Sequence, residues 1–413
     1  MVFETTMVID DQPQYSKLIK VIGVGGAGCN AINRMVAVGI KDVDLVATNT
    51  DNDSLSRSFA PNTIQLGRNI TLGLGAGFHP SVGRESAEAS ADAIDKVLEA
   101  PTKMVFITAG MGGGTGTGAA PYIAARAKEK GILTVAVITF PFTHEGDTKI
   151  ENAQEGVNSM RESCDAVLII NNQRIFDIYA ENGEYTDREA YSRADDVLVN
   201  AVKCIAELVT IKGEQNIDFN DVNTTLQNKG QAMMGVGLAE GEDREMKALN
   251  MALTSPLLEN CDIKGAQNIL INYTYSIEKK EYELKVSERV KITNAIKARI
   301  GQSAKMVKDG IVYDNSMGGK LQIKIVAAGF DEKTIIIAPS KPSEPAKPYE
   351  YVKIDNREYI ENLIDAYMVK ADKSACAAFL PEKLLIEPTY IRMNVPLLEA
   401  AVVASQPGKV HAL

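Results

Sequence analysis

Apolar residues fall along the first half of the chain in short unbroken runs, each followed by polar or glycine-rich punctuation and then by stretches of helical period. The runs are Leu18–Val24, Asp44–Thr48, Ile64–Leu66, Met104–Thr108, Leu133–Thr139 and Val167–Ile170. Runs this short with little polar alternation predict strands buried on both faces. Helices are predicted from Asn30 and over Ala119–Lys130, the second with Pro121 in its first turn. Strands alternating with helices at this spacing predict an α/β fold. Its sheet is mainly parallel, with helices on both faces and ligand at the strand C-termini.

The second half changes period. Ala194, Val197, Leu198, Ala201, Val202, Ile205, Leu208 and Val209 recur at helical spacing. They predict one long helix that starts beside Asp195 and Asp196 and stops at Gly213. A helix over Asp243–Leu253 follows, then strands near Gln267–Ser276 and Tyr282–Ser287, a helix near Asn294–Ile300 and an alternating strand Lys320–Ala328. That is an α+β pattern, with Gly230–Gly241 as a glycine-punctuated lead-in. Past Phe330 the composition shifts: eight of the fifteen prolines lie between Pro339 and Pro407, and PSKPSEPAKP reads as extended linker. Ile360, Leu363, Ile364, Tyr367 and Met368 lie at helical spacing within that tail and read as a short docking helix.

The punctuation carries the chemistry. Six glycines between Gly110 and Gly118, with Thr115 and Thr117 among them, join a buried strand to a helix. Strand, glycine loop and helix N-terminus present a row of backbone N–H groups to an anion, which predicts a phosphate cradle. No lysine follows these glycines, so the loop is not G-x-x-x-x-G-K-[ST]. Backbone amides, hydroxyls, a helix dipole and a metal ion must share the phosphate charge. Leu18–Val24 opens into Gly23-Val-Gly25-Gly26-Ala-Gly28, a formal GxGxxG, and a third glycine turn spans Gly73–Gly77. Asn49, Thr50 and Asp51 end the second strand with groups able to reach a ribose or a phosphate. One fingerprint suits a dinucleotide; three phosphate-type loops suit a nucleoside di- or triphosphate.

His79, His144 and His411 are the only histidines, and none sits in a catalytic setting. Asp218 and Asp221 lie three residues apart beyond the long helix, where helix capping is the alternative to chemistry. A net charge of −10 argues against nucleic acid as the main partner. Five scattered cysteines without a CxxC pair suit reduced thiols rather than disulfides or zinc. The acidic N-terminal stretch has no apolar signal core and no run reaches membrane-span length, so a cytoplasmic protein without direct membrane insertion is expected.

GVGGAGCNA, ATNTD, GLGAG, AGMGGGTGTGAAP, NIDFNDV and AMMGxGxAxGEDR resemble, in order and spacing, the FtsZ family of bacterial division GTPases, relatives of tubulin. The resemblance runs from about Leu18 to Phe330. It implies a Rossmann-like parallel-sheet GTPase domain (18–193), a long central helix with a catalytic loop (194–221) and a second α+β domain (222–330). A flexible arm (1–17) precedes them and an extended C-terminal tail (331–413) follows. It also implies GTP/GDP with Mg²⁺. Gly25, Gly26, Gly28 and Asn30 match the first phosphate loop, Ala76 and Gly77 the loop sensing the γ-phosphate, and Gly113, Gly114, Thr115 and Gly116 the main cradle. Glu145 matches a sugar contact, and Lys149 a phosphate contact that is arginine in most members. Asn172 and Asp196 match the guanine readers, Tyr191 the stacking aromatic, and Asn216, Asp218 and Asp221 the loop that triggers hydrolysis.

A carboxylate at Asp196 would accept both N–H donors of guanine and repel adenine, favouring GTP over ATP. Asp196 and Asp218 are 22 residues apart, on the order of 30 Å if mostly helical. The acids therefore reach a neighbouring copy's nucleotide rather than their own, which predicts a head-to-tail homopolymer. The resemblance implies assembly into the division ring at mid-cell, with a membrane adaptor and other division proteins engaged through the tail. An NAD(P)-dependent oxidoreductase using Gly23–Gly28, and a nucleotide-gated filament with negligible turnover, are the competing readings.

Overall fold

A computed structural model describes residues 18–174, 186–211, 214–215, 217–254, 263–301 and 305–330, with the side chains of 187, 188 and 190–194 excepted. Each of the six predicted runs falls on a strand, with only Leu18 and Leu66 outside: β1 Ile19–Val24, β2 Asp44–Asn49, β3 Asn62–Gln65, β4 Met104–Gly110, β5 Leu133–Phe140 and β6 Ala166–Asn171. Neighbours among them pair in parallel in the order β3-β2-β1-β4-β5-β6. The crossovers carry helices α1 Gly25–Val38, α2 Asn52–Ser56, α3 Arg68–Thr71, α4 Pro80–Glu88, α5 Ala91–Val97, α6 Gly114–Glu129 and α7 Asp147–Ser163. β4, β5 and most of β1 are buried on both faces, which is why their sequences show so little alternation. Strand order reverses between β1 and β4, and a crevice at such a switch point is where an open α/β sheet binds its ligand.

The long helix, α8, spans Asp187–Thr210 and starts earlier than its apolar period suggested. Its start is a capping box between Thr186 and Glu189, so Asp195 and Asp196 lie two turns inside it. Leu198, Val202, Ile205 and Leu208 bury its apolar stripe in the core shared with β1, β4, β5 and β6. After it come α9 Phe219–Leu226, β7 Gly230–Ala239, α10 Arg244–Leu253, β8 Asn268–Tyr275, α11 Val286–Ile300, β9 Met306–Tyr313 and β10 Leu321–Ala328. The sheet continues β6-β7-β10-β8-β9, and only two residue pairs, Ala166 with Gly230 and Val167 with Gln231, join β6 to β7. A separate apolar cluster built from β8, β10, α10 and α11 fills this half.

Three expectations fail here for identifiable reasons. Gly230–Ala239, most of the expected lead-in, is a strand: α10 lies so close to β7 that a Cβ on Gly235 or Gly237 would sit 1.9 Å from the Ala252 or Ala248 carbonyl oxygen. Tyr282–Ser287 is a turn running into α11, because the Tyr282 and Glu283 carbonyls accept from the Arg244 guanidinium instead of a strand. Pro121 is deep inside α6, since that helix begins at Gly114. The 1–17 arm and the 331–413 tail with its docking helix lie outside the described residues.

Candidate functional site

Glycine is a poor helix former, yet the first turns of α6 are GTGTG. Packing explains the choice. A Cβ on Gly116 would lie 2.4 Å from the Gly110 carbonyl oxygen, and one on Gly118 only 1.9 Å from that of Pro80. The glycines therefore let α6 press against both β4 and α4, which brings the Gly73–Gly77 turn beside the main cradle. Gly28 packs beneath, its Cα facing the Thr108 carbonyl. It supports the first loop and does not line the cavity.

Helices α1 and α6 both start at the switch point. Neither N-cap residue, Val24 or Gly113, makes a side-chain capping bond, and neither first turn carries an acid. Two helix ends thus aim uncapped N–H groups and positive potential into the same space. That space is a cavity of about 640 Å³. Gly25, Gly26, Asn30, Asn49, Asp51, Ala76, Gly77, Gly113, Gly114, Thr115, Gly116, Glu145, Lys149 and Asn172 all line it. Thr115 is pinned by a 2.7 Å hydroxyl–hydroxyl bond to Thr50. Asp51 caps α2, accepting from the Asp53 and Ser54 N–H groups at 2.9 and 3.3 Å. Lys149 is the one cation among the described lining residues, and its Nζ pairs with Glu145, whose Oε1 accepts the Phe142 N–H at 2.9 Å.

The far end of the cavity differs from the sequence reading. Asp195 lines it, while Asp196 turns to Arg34, whose Nε donates to Oδ1 at 2.7 Å. Burial, reinforced by neighbouring Asp196 and opposed by Arg34, raises the Asp195 carboxyl to about 6. Asn172 Oδ1 is buried there without a hydrogen-bond partner among the described residues. An orphaned acceptor and a desolvated carboxyl in one polar pocket end fit a base edge rich in N–H donors. Periodicity marked both aspartates but not which one faces inward. The side chain of Tyr191 lies outside the described residues.

Asp218 and Asp221 are not at the cavity. From Asp195 to Thr210, α8 rises about 1.5 Å per residue, on the order of 20 Å in all. The acids lie past its far end, where Asp218 caps α9 in a reciprocal box with Asp221. Asn216 lies outside the described residues. A second cavity of about 670 Å³ separates α8 from β7, β8 and β10, bridged by Lys324 Nζ and Glu207 Oε2 at 2.6 Å. Among the described residues it has no glycine loop and none of the predicted site residues.

The profile described as Tubulin/FtsZ family, GTPase domain, matches residues 18–180, and FtsZ family, C-terminal domain, matches 230–331. The cell division protein FtsZ of Coxiella burnetii is 41% identical over 358 residues, covering 86% of this chain and 90% of that protein. The chain belongs to the FtsZ family. The FtsZ of Porphyromonas gingivalis is 44% identical over 318 residues, 77% of this chain and 68% of that one. Among solved structures, an empty FtsZ dimer from M. jannaschii superposes with a TM-score of 0.68 at 38% identity, covering 76% of this chain and 88% of the other. CetZ2 from Haloferax volcanii shares the fold at 21% identity and a TM-score of 0.63, over 76% of this chain and 94% of its own. The oxidoreductase reading of Gly23–Gly28 has no support. Its glycines share one cavity with two further glycine loops, and both matching profiles are of the tubulin/FtsZ kind. Among the described residues no helix is long and apolar enough to cross a membrane.

Proposed function

We propose that this GTP-binding, polymerising division protein hydrolyses GTP at junctions between successive copies, each copy's Asp218 and Asp221 serving the nucleotide of its neighbour. One observation carries this reading: the glycine cradle and the acids occupy opposite ends of α8, so neither end is a complete hydrolytic site. The glycine turn beside the cavity adds support, since Phe78 of the cavity lining is 66% exposed and Leu72 and Leu74, just before it in the chain, are 77% and 87% exposed. Apolar side chains grouped around a binding cavity suit burial against another copy. The phosphates rest on the free N–H groups of α1 and α6, and Lys149, beside Glu145, adds the one cation among the described lining residues. A Mg²⁺ bound with the nucleotide would be held chiefly by the phosphates and would offset part of their charge. We further propose that the tail engages membrane-bound division partners at mid-cell. GTP turnover per subunit should rise steeply above a threshold protein concentration when the chain is diluted through its assembly range. Turnover per subunit that stays flat across that range overturns the shared site.

The base is read by Asp195 with Asn172. Asp195→Ala should weaken GTP binding by about 10- to 100-fold, the scale of a lost charged hydrogen-bonding group. Asp196→Ala should change it little, since that carboxylate is occupied by Arg34. Only the ionised carboxyl accepts two N–H donors, so GTP affinity should fall as pH drops through about 6. The fold responds the other way. Its raised value means the folded state holds the extra proton, so the Asp195 contribution to stability grows as pH falls toward 4. Nucleotide titrations from pH 5 to 8, with and without Asp195→Ala, separate the two.

A further inference from the structure

One strand holds the acid-bearing loop from the side. Ile311 of β9 donates its N–H to the Gln215 carbonyl at 2.9 Å, an isolated antiparallel bridge. The approach depends on Gly310, where a Cβ would lie 2.8 Å from Ile217 Cγ1 and 3.0 Å from the Gln215 carbonyl oxygen. Residues two apart share a face of a strand, so Lys308 stands on the face of Gly310 that meets the loop. Its Nζ lies 3.1 Å from Asp221 Oδ1. The next residue, Asp309, is already matched by Arg289, with the Gln215 side chain bonded to both. Lys308 is therefore the cation that β9 directs at the acids.

The bonding leaves the two acids unequal. Asp221 has both oxygens engaged, Oδ1 by Lys308 and Oδ2 by the Asp218 N–H at 3.1 Å. Asp218 uses only Oδ1, which accepts the Asp221 N–H at 2.8 Å. Its Oδ2 has no protein partner among the described residues, and Asp218 is exposed. Without the lysine, two like charges would face each other in the first turn of a short helix with only backbone N–H groups between them.

We propose that Lys308 is a positioning residue of the hydrolytic loop: it holds Asp221 so that Asp218 offers its one free oxygen to water at the neighbouring copy's nucleotide. This rests on the junction reading above. The pair is partly exposed, with side chains 42% and 20% accessible, so it adds little to folding stability. Its effect falls on geometry, and small misplacements of a reacting group are costly in rate.

The test uses the full chain and its Lys308→Ala, Lys308→Arg and Asp218→Asn variants. Turnover is measured at saturating GTP above the assembly threshold, with GTP affinity and the threshold itself measured in the same samples. Lys308→Ala should turn over about 10-fold slower or worse, with affinity and threshold within about twofold of the parent. Lys308→Arg, which keeps the cation, should recover at least half of the loss. Parent-level or faster turnover in Lys308→Ala, or an arginine variant as slow as the alanine one, overturns the assignment. So does a raised threshold with unchanged turnover, which would make Lys308 a subunit-contact residue. Asp218→Asn separates the two levels: if it stays active the junction reading itself fails. If it is dead while Lys308→Ala is normal, only the role of Lys308 is lost.

Discussion

Arg244→Met should cost about 3–5 kcal/mol of folding stability, the range for breaking a buried ion pair on one side. Arg244 is 5% exposed, and its guanidinium is bonded on every side. Nε and Nη2 donate to Glu288 at 3.0 and 3.2 Å, Nη1 to the Tyr282 and Gly319 carbonyls at 2.9 and 3.0 Å, and Nη2 to the Glu283 carbonyl at 2.7 Å. One side chain thus ties α10 to α11, to the turn before α11 and to the turn before β10. Methionine fills much of the volume but leaves a buried carboxylate and three carbonyls without their donor. Glu288 also caps α11, accepting the Lys285 N–H at 2.7 Å, so that helix start is weakened as well. Lysine should not rescue, because a single ammonium cannot reproduce the planar fork. Arg84→Met is the contrast. Its pair with Glu88 is exposed at 67% and 46%, and its loss should stay near 0.5 kcal/mol. Urea unfolding monitored on each variant measures both. Equal midpoints for the two would show that the Arg244 cluster is not a stabilising centre.

That cluster also shows where reading from sequence stops. The parallel strands were legible because burial on both faces leaves an unbroken apolar run, and β4 and β5 are such strands. The glycine loops were legible because strand, glycines and helix follow one another in the chain. What escaped was set by partners distant in sequence. Tyr282 and Leu284 alternate like a strand, yet Arg244, nearly forty residues earlier, takes the carbonyls that a strand would need. β7 looked like a loop because its glycines answer to α10 and not to a turn. β9, with Lys308, Asp309 and Gly310 at its centre, carries a charged and glycine-broken pattern because Lys308 and Gly310 meet the acid loop while Ile311 packs on the core. The site followed the same rule. Backbone-binding residues were found from local motifs, while the choice between Asp195 and Asp196 depended on Arg34, which lies on α1 and claims one of them.

Asp218→Asn should abolish most GTP turnover while leaving GTP binding and assembly in place, and should silence the wild-type cavities it meets in mixtures. Asparagine is the informative substitution because Asp218 also caps α9 through a 2.8 Å bond from the Asp221 N–H. Alanine would remove that cap and cost about 1 kcal/mol, confusing structure with chemistry. Asparagine caps helices as well as aspartate does, so it removes the charge and the free carboxylate oxygen alone. A group that orients attacking water contributes orders of magnitude to phosphoryl transfer, so turnover should fall by about 100-fold or more. The variant's own cavity is intact, and it should accept a wild-type neighbour whose acids hydrolyse the variant's GTP normally. Its own acid end cannot complete the next site, so GTP at that junction persists and the filament with it. In an equal mixture every wild-type cavity that meets a variant acid end is silenced. With random partners at each junction, half of the wild-type cavities fall silent while half of the variant cavities are served by wild-type acids, so total activity stays near the wild-type share. If Asp218 only caps a turn, Asp218→Asn is active. If it serves its own nucleotide, wild-type copies work at full rate beside it. Total activity is the same in that case, so complementation decides: at a GTP concentration that leaves Asp195→Ala largely empty, adding it to Asp218→Asn should restore turnover. Turnover no greater than the sum of the two variants alone, in filaments shown to contain both chains, excludes catalysis across the junction.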